Sequence, residues 1–429
     1  MKVAVCLFDS HHHGMDFSSP HLGNTGIGGS DYDVLMLSYA LANFSDVKVT
    51  VYHEQESNKL MDGVTCRIFH DYKELLRLVK ADENDILVMN YGITDYDPEI
   101  KYVVWVHNYL PYESFDLLSA SDAVKRVVFV GREHYDHYID HKIIRKSVPI
   151  FNMYDGRPLK LRDFPVEPAV TYTGGLYQVK GFHILASMWK DILREVPDAK
   201  LYVVGSGKLY NENAELGSLG VADREYEEMF AQYLMEDGKL LPSVNFCGTL
   251  GREKSEIYYK TTVGVMNPSG NSETLGMSAL DMEACGVPVV TRAVNGLFDS
   301  VRHGVTGFLG KDEKEIKKYI IRLLKDKELN LKLGRQAKEF VESTFLPENL
   351  VKQWLKVFDD IMEGRSAEYI RPSGNYSNNM KWFKAVIHWL MVHNIPVMPI
   401  VPAWGKIKEP FKKHMPILFY ALKKFFRRT

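Results

Sequence analysis

The stretch Val263-Gly-Val-Met-Asn-Pro-Ser-Gly-Asn-Ser-Glu273-Thr-Leu-Gly276-Met-Ser-Ala-Leu-Asp281-Met-Glu-Ala-Cys-Gly286-Val-Pro288-Val-Val-Thr291 has the pattern of a strand, a loop, a helix and a second strand. The apolar run 263–266 predicts a buried strand, which a Pro-Ser-Gly-Asn-Ser loop follows. A helix is then predicted to begin near Thr274 and to end at Gly286, before the next strand. Because a helix start presents free N–H groups and the positive end of the helix dipole, this loop suits a bound diphosphate.

Two acids stand in this stretch, Glu273 in the loop and Asp281 eight residues later in the helix. The layout resembles the donor-binding signature of retaining glycosyltransferases of the group 1 (family 4) type. That signature has Pro-Ser, Glu, Phe-Gly, a second acid eight residues after the first, and Gly-x-Pro. The chain departs from it at Leu275, where Phe is usual, and at Asp281, where Glu is usual. The positions in register are Glu273, Gly276, Gly286 and Pro288.

The resemblance implies a role for each position of this signature. The backbone N–H groups of residues 274–276 are expected to hold the donor diphosphate. Glu273 is expected to contact donor-sugar hydroxyl groups as a catalytic residue, and Asp281 to contact the ribose. Glu283 lies two residues beyond Asp281, about 200° around a helix of 3.6 residues per turn, so only one of these two acids can face the ligand.

The stretch Tyr172-Thr-Gly174-Gly175-Leu176-Tyr-Gln-Val-Lys180-Gly181 resembles a second motif of the same family, Gly-Arg-Leu-x-x-x-Lys-Gly. The resemblance implies that Lys180 neutralises the donor diphosphate. Gly175 stands where the family has an Arg, so one cation of the usual pair is missing. Lys208, which follows a later predicted strand, is a candidate to replace it.

Glycine-rich loops follow other predicted strands, where backbone N–H groups can approach a ligand closely. By resemblance, Gly28 and Gly29 lie beside the donor diphosphate and sugar. Gly205, Gly207 and Gly248 belong by the same resemblance to the loops that hold the nucleotide base and ribose. A purely structural turn remains the alternative for the first of these loops.

His107 ends the apolar run Val103-Val-Trp-Val106. The family often carries a His at such a strand end, facing the donor sugar, so the resemblance implies a catalytic His107. A neutral imidazole there can hydrogen-bond a sugar hydroxyl or a developing charge. A purely structural histidine is the alternative interpretation.

The length of 429 residues and the 45% hydrophobic content predict two or three domains, each with its own core. The four cysteines have apolar neighbours and predict buried thiols of a reducing compartment. The first apolar run is too short for a signal peptide, so we expect a cytoplasmic protein. These cysteines are Cys6, Cys66, Cys247 and Cys285.

Short Val/Ile-rich runs alternate with segments of helical spacing, which predicts parallel sheets wrapped by helices. The runs are 2–8, 47–53, 86–90, 102–106, 126–130, 169–173, 200–204, 244–246, 263–266 and 287–291. Between them, the Pro-rich segment 149–168 predicts a hinge. The expected fold is GT-B: two Rossmann-like α/β domains with a cleft between them. The predicted segments are an acceptor-side domain (1–165), a nucleotide-sugar-binding domain (166–345), a helix that returns to the first domain (346–372) and a basic amphipathic tail (373–429).

Two Asp-x-Asp pairs, Asp31/Asp33 and Asp95/Asp97, mimic a metal signature of a different glycosyltransferase architecture. The first lies on a predicted helix and the second in a turn, so neither ends a nucleotide-binding strand. The run His11–His13 is interpreted as part of an acceptor-side loop or as having no function. We therefore expect no catalytic metal and no cofactor.

The charge of the chain is unevenly distributed. The net charge is −2, but residues 373–429 contain ten Lys or Arg and one acid, a balance of +9. Prolines and histidines interrupt the apolar segment 385–402, which argues against a spanning helix. The segment Pro416–Arg428 predicts an interfacial helix that binds an anionic membrane surface. The alternative is a tail that packs on the domains.

These features predict a metal-independent, retaining glycosyltransferase of the hexosyltransferase type. The expected partners are a nucleoside-diphosphate sugar donor, a glycan or lipid-linked acceptor and an anionic membrane surface, with no nucleic acid. The expected place is the inner face of the cytoplasmic membrane, in cell-envelope polysaccharide or lipopolysaccharide biosynthesis. A nucleotide-sugar epimerase or phosphorylase of the same shape is one alternative, and an inactive glycan-binding or scaffold subunit is another.

Overall fold

The strands of the first domain form a seven-stranded parallel sheet in the order β3-β2-β1-β4-β5-β6-β7. The computed structural model describes residues 1–8, 16–57, 59–91, 93, 95–208 and 215–415. The strands are β1 Lys2–Leu7, β2 Lys48–His53, β3 Thr65–Ile68, β4 Ile86–Asn90, β5 Tyr102–Val106, β6 Val124–Phe129 and β7 Ser147–Pro149. The helices are α1 Gly29–Phe44, α2 Tyr72–Ala81, α3 Tyr112–Ala120 and α4 Arg132–His137.

The second domain has a six-stranded parallel sheet and a short antiparallel pair, β10 with β11. The strands are β8 Ala169–Thr173, β9 Lys200–Val204, β10 Met235–Glu236, β11 Lys239–Leu240, β12 Val244–Gly248, β13 Val263–Val265, β14 Val289–Arg292 and β15 Gly307–Gly310. The helices are α5 Phe182–Glu195, α6 Arg224–Leu234, α7 Lys254–Tyr258, α8 Met277–Ala284, α9 Leu297–Ser300, α10 Glu313–Lys325 and α11 Lys327–Thr344. Three helices follow: α12 Pro347–Met362, α13 Lys381–Val392 and α14 Ile400–His414.

Both sheets have the strand order of a doubly wound α/β fold. The larger sheet of the second domain runs β12-β9-β8-β13-β14-β15. The direction of winding reverses between β1 and β4 in the first sheet and between β8 and β13 in the second. Ligands of such sheets bind outside the carboxyl ends of the strands at this reversal. The predicted architecture of two α/β domains is confirmed, and both reversal points face the space between the domains.

The strands β3, β7 and β15 are absent from the sequence-based expectation. Each lies at the edge of its sheet and is three or four residues long. These strands are short and lack the continuous Val/Ile run of an inner parallel strand, and β15 begins and ends with glycine although all four of its residues are buried. The inner strands, by contrast, lie within about two residues of their predicted bounds.

Helix α12 leaves the second domain and packs on the first, as the resemblance implies for the segment 346–362. Its Trp354 is fully buried, and the ring lies 4.9 Å from the ring of Trp105 on β5. Phe358 on the next turn joins the same apolar cluster as α1. The hydrophobic core of the first domain is therefore completed by a helix from the far end of the chain.

Part of the predicted tail is packed rather than free. Helix α13 buries Lys381, Lys384 and His388 against the first domain. No helix in the described part of the chain is both long enough and apolar enough to cross a bilayer. The segment Pro416–Arg428, predicted to be an interfacial helix, lies outside the described residues, as does the run His11–His13.

Candidate active site

The candidate site is the cleft between the two domains. Its walls are the loops that follow β1 and β5 in the first domain and β8, β9, β12 and β13 in the second. These are carboxyl ends of parallel strands on both sides, as the topology requires of a ligand crevice.

Most of the predicted site residues line this cleft, but four do not. Gly28 is the N-cap of α1 and is itself outside the lining, although its neighbours Ile27 and Gly29 are part of it. Gly207 lies against Ala222, where a Cβ atom would approach within 2.8 Å of the backbone. Gly248 and Gly276 are also outside the lining. The predicted residues that do line the cleft are Gly29, His107, Lys180, Gly205, Glu273, Thr274, Leu275 and Asp281.

Lys180 and Glu273 form an ion pair at the cleft wall. Nζ of Lys180 donates to Oε2 of Glu273 at 3.0 Å, and Nδ2 of Asn267 donates to the same oxygen at 2.8 Å. Glu273 is only 9% exposed, so the two donors replace much of the water around its carboxylate. Sequence analysis did not single out Asn267, although it directly follows the strand region of β13.

The loop that carries Lys180 approaches the Glu273 loop very closely. Residues Gln178–Lys180 form one 3₁₀ turn, which ends at Gly181 with φ +76°. A Cβ atom on Gly181 would lie 2.7 Å from the backbone nitrogen of Ser269. Only glycine satisfies both the left-handed backbone and this contact, so Gly181 sets the position of the lysine beside it.

The start of α8 lies in the cleft, but one predicted N–H donor is already occupied. The N–H of Gly276 donates to Oγ of Ser300 at 2.7 Å, so the expectation that Gly276 helps to bind a diphosphate is wrong for this arrangement. In the described part of the chain, no hydrogen bond uses the N–H of Thr274 or Leu275. The hydroxyl of Thr274 donates to the carbonyl oxygen of His107 at 2.6 Å and so joins the two domains.

Asp281 lies on the cleft side of α8, held by two partners. Nζ of Lys254 donates to Oδ2 at 2.5 Å, and the Tyr154 hydroxyl donates to Oδ1 at 2.8 Å. Glu283 is fully buried in the second domain, where burial raises the pKa of its carboxyl well above the usual range. The two acids therefore have different surroundings, and Asp281 is the one that lines the cleft.

His107 meets an acid that sequence analysis set aside. Oδ2 of Asp33, on α1, lies 3.5 Å from Nδ1 of His107, and Nδ2 of Asn152 donates to the same oxygen. Burial raises the pKa of Asp33 to about 6, although the neighbouring imidazole opposes this shift. The sequence pattern around Asp33 only mimics an Asp-x-Asp metal signature and predicts no functional role for this residue. Its contact with His107 joins two residues 74 positions apart, so no local pattern indicates it.

The missing Arg has no replacement at Lys208, whose side chain is exposed and lies outside the cleft lining. Among the described residues that line the cleft, the lysines are Lys180 and Lys254. Gly175 lines the cleft at the position of the absent Arg. Within the same described residues, no group of three or more His, Cys, Asp or Glu side chains is arranged to hold a metal ion.

Arg252 links the two domains beside the cleft, two residues after Leu250 of the lining. Its guanidinium donates to the carbonyl oxygens of Ser18 and Ser19 at 2.9 Å each, and to that of Gly23 at 3.2 Å. Because Arg252 belongs to the second domain and its partners to the first, these bonds hold the two domains together. We call this contact the Arg252 clamp.

Comparison with known proteins agrees with this geometry. Residues 161–340 match the protein family described as Glycosyl transferases group 1. The chain is 27% identical over 324 residues to N-acetyl-alpha-D-glucosaminyl L-malate synthase of Bacillus anthracis, a match over 67% of this chain and 78% of that protein. An uncharacterized glycosyltransferase of Methanocaldococcus jannaschii is 25% identical over 251 residues, which cover 57% of this chain and 58% of that protein.

Solved structures share the fold across most of the chain. Sucrose-phosphate synthase from Thermosynechococcus elongatus has a TM-score of 0.62 at 18% identity, over 85% of this chain and 99% of that chain. HepE of Anabaena, solved with UDP-glucose, has a TM-score of 0.60 at 15% identity, over 85% of this chain and 100% of that chain. The chain therefore has the GT-B fold, and residues 161–340 match the model of the group 1 glycosyltransferase family.

Proposed function

We propose that this protein transfers a sugar from a nucleoside-diphosphate sugar to a glycan or lipid-linked acceptor, with retention of the anomeric configuration. The observation that carries the proposal is the meeting of Lys180, Glu273 and the start of α8 in one cleft. A cation and free N–H groups suit a diphosphate, and a carboxylate suits sugar hydroxyl groups. HepE, which was solved with UDP-glucose, shares this fold and supports a nucleotide-sugar donor.

In this proposal the leaving diphosphate is bound by Nζ of Lys180 and the N–H groups of Thr274 and Leu275. These donors stand ready before the reaction and stabilise the negative charge that develops as the glycosidic bond breaks. Glu273 accepts hydrogen bonds from donor-sugar hydroxyl groups, and its ion pair with Lys180 holds both side chains in place. Nε2 of His107 bonds a hydroxyl of the same sugar.

The nucleoside part of the donor lies further along the cleft, where Asp281 accepts hydrogen bonds from the ribose hydroxyl groups. Asp281 is one methylene shorter than the usual Glu, and Lys254 and Tyr154 hold it towards the cleft. The backbone around Gly205 contacts the base or ribose. We propose that no metal takes part, because Lys180 and the start of α8 supply the charge neutralisation.

We further propose that the enzyme works at the inner face of the cytoplasmic membrane, in cell-envelope polysaccharide or lipopolysaccharide biosynthesis. The balance of +9 over residues 373–429 supports contact with anionic lipid. A lipid-linked acceptor is present at that surface, so a peripheral enzyme meets it there.

A donor screen tests the proposed reaction. UDP-, GDP- and ADP-sugars are added singly, and the melting temperature and the release of free sugar are measured without acceptor. We expect one nucleotide to raise the melting temperature and its sugar to be released slowly, with NMR showing the donor's anomeric configuration in the first product. Conversion of the donor into an epimer supports the epimerase instead, and turnover that requires inorganic phosphate supports the phosphorylase. No binding of any donor supports the inactive scaffold.

A further inference from the structure

Helix α13 turns polar residues towards the protein and large apolar residues towards the solvent, the opposite of a normal surface helix. Its inward side carries Lys381, Lys384 and His388, each at most 4% exposed. Its outward side carries large apolar residues at the spacing of one helix face. These are Trp382 at 51%, Val386 at 51%, Trp389 at 57% and Val392 at 53% exposure, and we call them the tryptophan stripe. A helix that folds only against its own protein places these two sets the other way round.

The inward polar side is held firmly, so the orientation of α13 is not accidental. Nζ of Lys381 lies 2.8 Å from Glu133 and 2.9 Å from Asp136, both buried on α4. Nζ of Lys384 donates to the carbonyl oxygen of His137 at 2.6 Å. Turning the helix over would remove Lys381 from Glu133 and Asp136 and leave these two buried carboxylates without their cation. The tryptophan stripe is therefore fixed on the outside.

Helix α14 extends the same surface with positive charge. Its first N–H, that of Ile400, donates to Asp140 in the first domain at 2.7 Å, which anchors the helix start. Helix α14 contacts α13, and its Trp404 is 40% exposed. The exposed lysines of α14 are Lys406, Lys408, Lys412 and Lys413.

We propose that the tryptophan stripe of α13, together with the lysines of α14, binds the surface of an anionic lipid bilayer. This inference rests on the proposed function and names the surface that meets the membrane. Indole rings favour the boundary between headgroups and acyl chains, and lysines favour anionic headgroups.

The dimensions of the stripe argue against a second copy of the chain as its occupant. Helix α13 is about 18 Å long at 1.5 Å per residue. One face of such a helix buries on the order of several hundred Å², whereas a stable protein interface buries about 1,200 Å² or more. The cluster of lysines beside the stripe also disfavours self-association, because two copies would place like charges together.

The six tryptophans of the chain allow a direct test. Trp105, Trp189 and Trp354 are buried, and the remaining three lie on α13 and α14. The full-length protein is mixed with phosphatidylcholine vesicles, with or without phosphatidylglycerol, whose acyl chains carry bromine to quench nearby indoles. We expect sedimentation and quenching with the anionic vesicles. Both should weaken as salt rises, because screening shortens the reach of each lysine to about a Debye length.

The decisive variant is the double substitution W382S/W389S. It should weaken vesicle binding about tenfold or more, because the apolar part of an interfacial helix drives its insertion. The matched control L117S/V166S removes two exposed apolar side chains elsewhere and should bind vesicles like the wild type. V386E gives a second test, since a carboxylate on the stripe repels anionic lipid. Melting temperature and nucleotide binding in the absence of vesicles confirm that each variant is folded.

Three results would overturn the inference. The first is that both W382S/W389S and V386E bind vesicles as well as the wild type does. The second is loss of binding only when the chain is cut after Met415, which assigns the membrane contact to residues 416–429. The third is a wild-type dimer that W382S/W389S abolishes, which makes the stripe an interface between copies. Nucleotide binding without vesicles is measured separately, so a failed donor assay contradicts the proposed function alone.

Discussion

Nδ1 of His107 and Oδ2 of Asp33 lie 3.5 Å apart, although one ends β5 and the other belongs to α1. An anionic carboxylate beside Nδ1 favours the tautomer that carries its hydrogen there, which leaves Nε2 as an acceptor. Nε2 has no hydrogen-bond partner among the described residues. The pair therefore presents an oriented acceptor at the wall of the cleft.

Asp33→Asn should lower kcat about tenfold, or about 1.4 kcal/mol of transition-state stabilisation, with the donor KM little changed. The amide keeps the shape of Asp33 but loses the negative charge that orients the His107 imidazole. Steady-state kinetics with the donor found in the screen provide the measurement. Asp31→Asn, two residues away, is the control. Equal losses in both variants would show that the effect is not specific to His107.

The pH dependence of kcat follows from the same carboxyl. Burial raises the pKa of Asp33 to about 6, so it is ionised above that pH and protonated below it. If the anion orients His107, kcat falls as the pH drops below about 6. Asp33→Asn should lack this acidic limb while keeping any limb due to other groups. An identical pH profile in the two proteins would contradict the role of Asp33.

Lys180→Ala should weaken the binding of the nucleoside diphosphate by about 1.5–3 kcal/mol, the usual worth of a charge-assisted hydrogen bond. Among the described residues, the variant keeps the bond from Asn267 to the Glu273 carboxylate but loses the one from Lys180, so sugar positioning should suffer. Calorimetry with the free nucleotide separates the first effect from the second. Lys208→Ala removes an exposed lysine outside the cleft and should change neither. An unchanged nucleotide affinity in Lys180→Ala would remove Lys180 from the site.

Asp281→Asn should raise the donor KM clearly, whereas Glu283→Gln should change it little. Asp281 lines the cleft beside Lys254. In the proposed binding mode its carboxylate accepts from ribose hydroxyl groups, and an amide offers one acceptor oxygen in place of two. Glu283 is buried outside the cleft, and burial raises the pKa of its carboxyl and so favours the neutral form, which glutamine resembles. Steady-state kinetics of the two folded variants measure the donor KM and test this ranking. The reverse ranking would mean that the acidic motif of this chain is shifted by two residues.

Asp299→Asn should make stability less dependent on pH. Burial, with Glu133 and Asp136 nearby, raises the pKa of Asp299 to about 8. The folded state therefore holds this proton more tightly than the unfolded state. Its ionisation costs stability progressively between about pH 4, the unfolded pKa, and about pH 8. The asparagine can still accept from the N–H of Glu133, as Asp299 does at 2.7 Å.

We expect the melting temperature of Asp299→Asn to exceed that of the wild type at pH 8. The gain should be about 2–4 °C for each 1 kcal/mol relieved and should shrink as the pH approaches 4. Calorimetry at several pH values measures it. A gain that is constant across this range would indicate a packing effect instead of a titration.

Chelation of metals should leave turnover unchanged if, as proposed, Lys180 and the N–H groups of Thr274 and Leu275 neutralise the leaving diphosphate. The measurement is turnover before and after EDTA, followed by addition of Mg²⁺ or Mn²⁺. Loss of activity that either ion restores would show that the metal-free mechanism is wrong.

Much of the fold could be predicted because inner parallel strands are buried on both faces and therefore consist of continuous apolar runs. The Glu273 loop and Asp281 could be placed because their spacing lies within one strand-loop-helix unit. Asp33 and Lys254 could not be placed. They approach His107 and Asp281 across gaps of 74 and 27 residues, which only the tertiary fold determines.

The C-terminal extension shows a different limit of sequence analysis. Charge and apolar content predict a basic amphipathic tail from residue 373. In the structure, however, the polar residues of α13 face the first domain. Lys381 binds Glu133 on α4, an acid that is itself buried and would otherwise lack a cation. Periodicity shows that a helix has two faces, but it does not show which face meets the protein.

The Arg252 clamp has a consequence for the rate of donor binding. Its three hydrogen bonds to the first domain must separate when the domains move apart. If this opening is the slow step, the observed rate of donor binding should reach a plateau at high donor concentration. Arg252→Ala should raise that limiting rate. A residue outside the cleft lining would then set the time scale of binding.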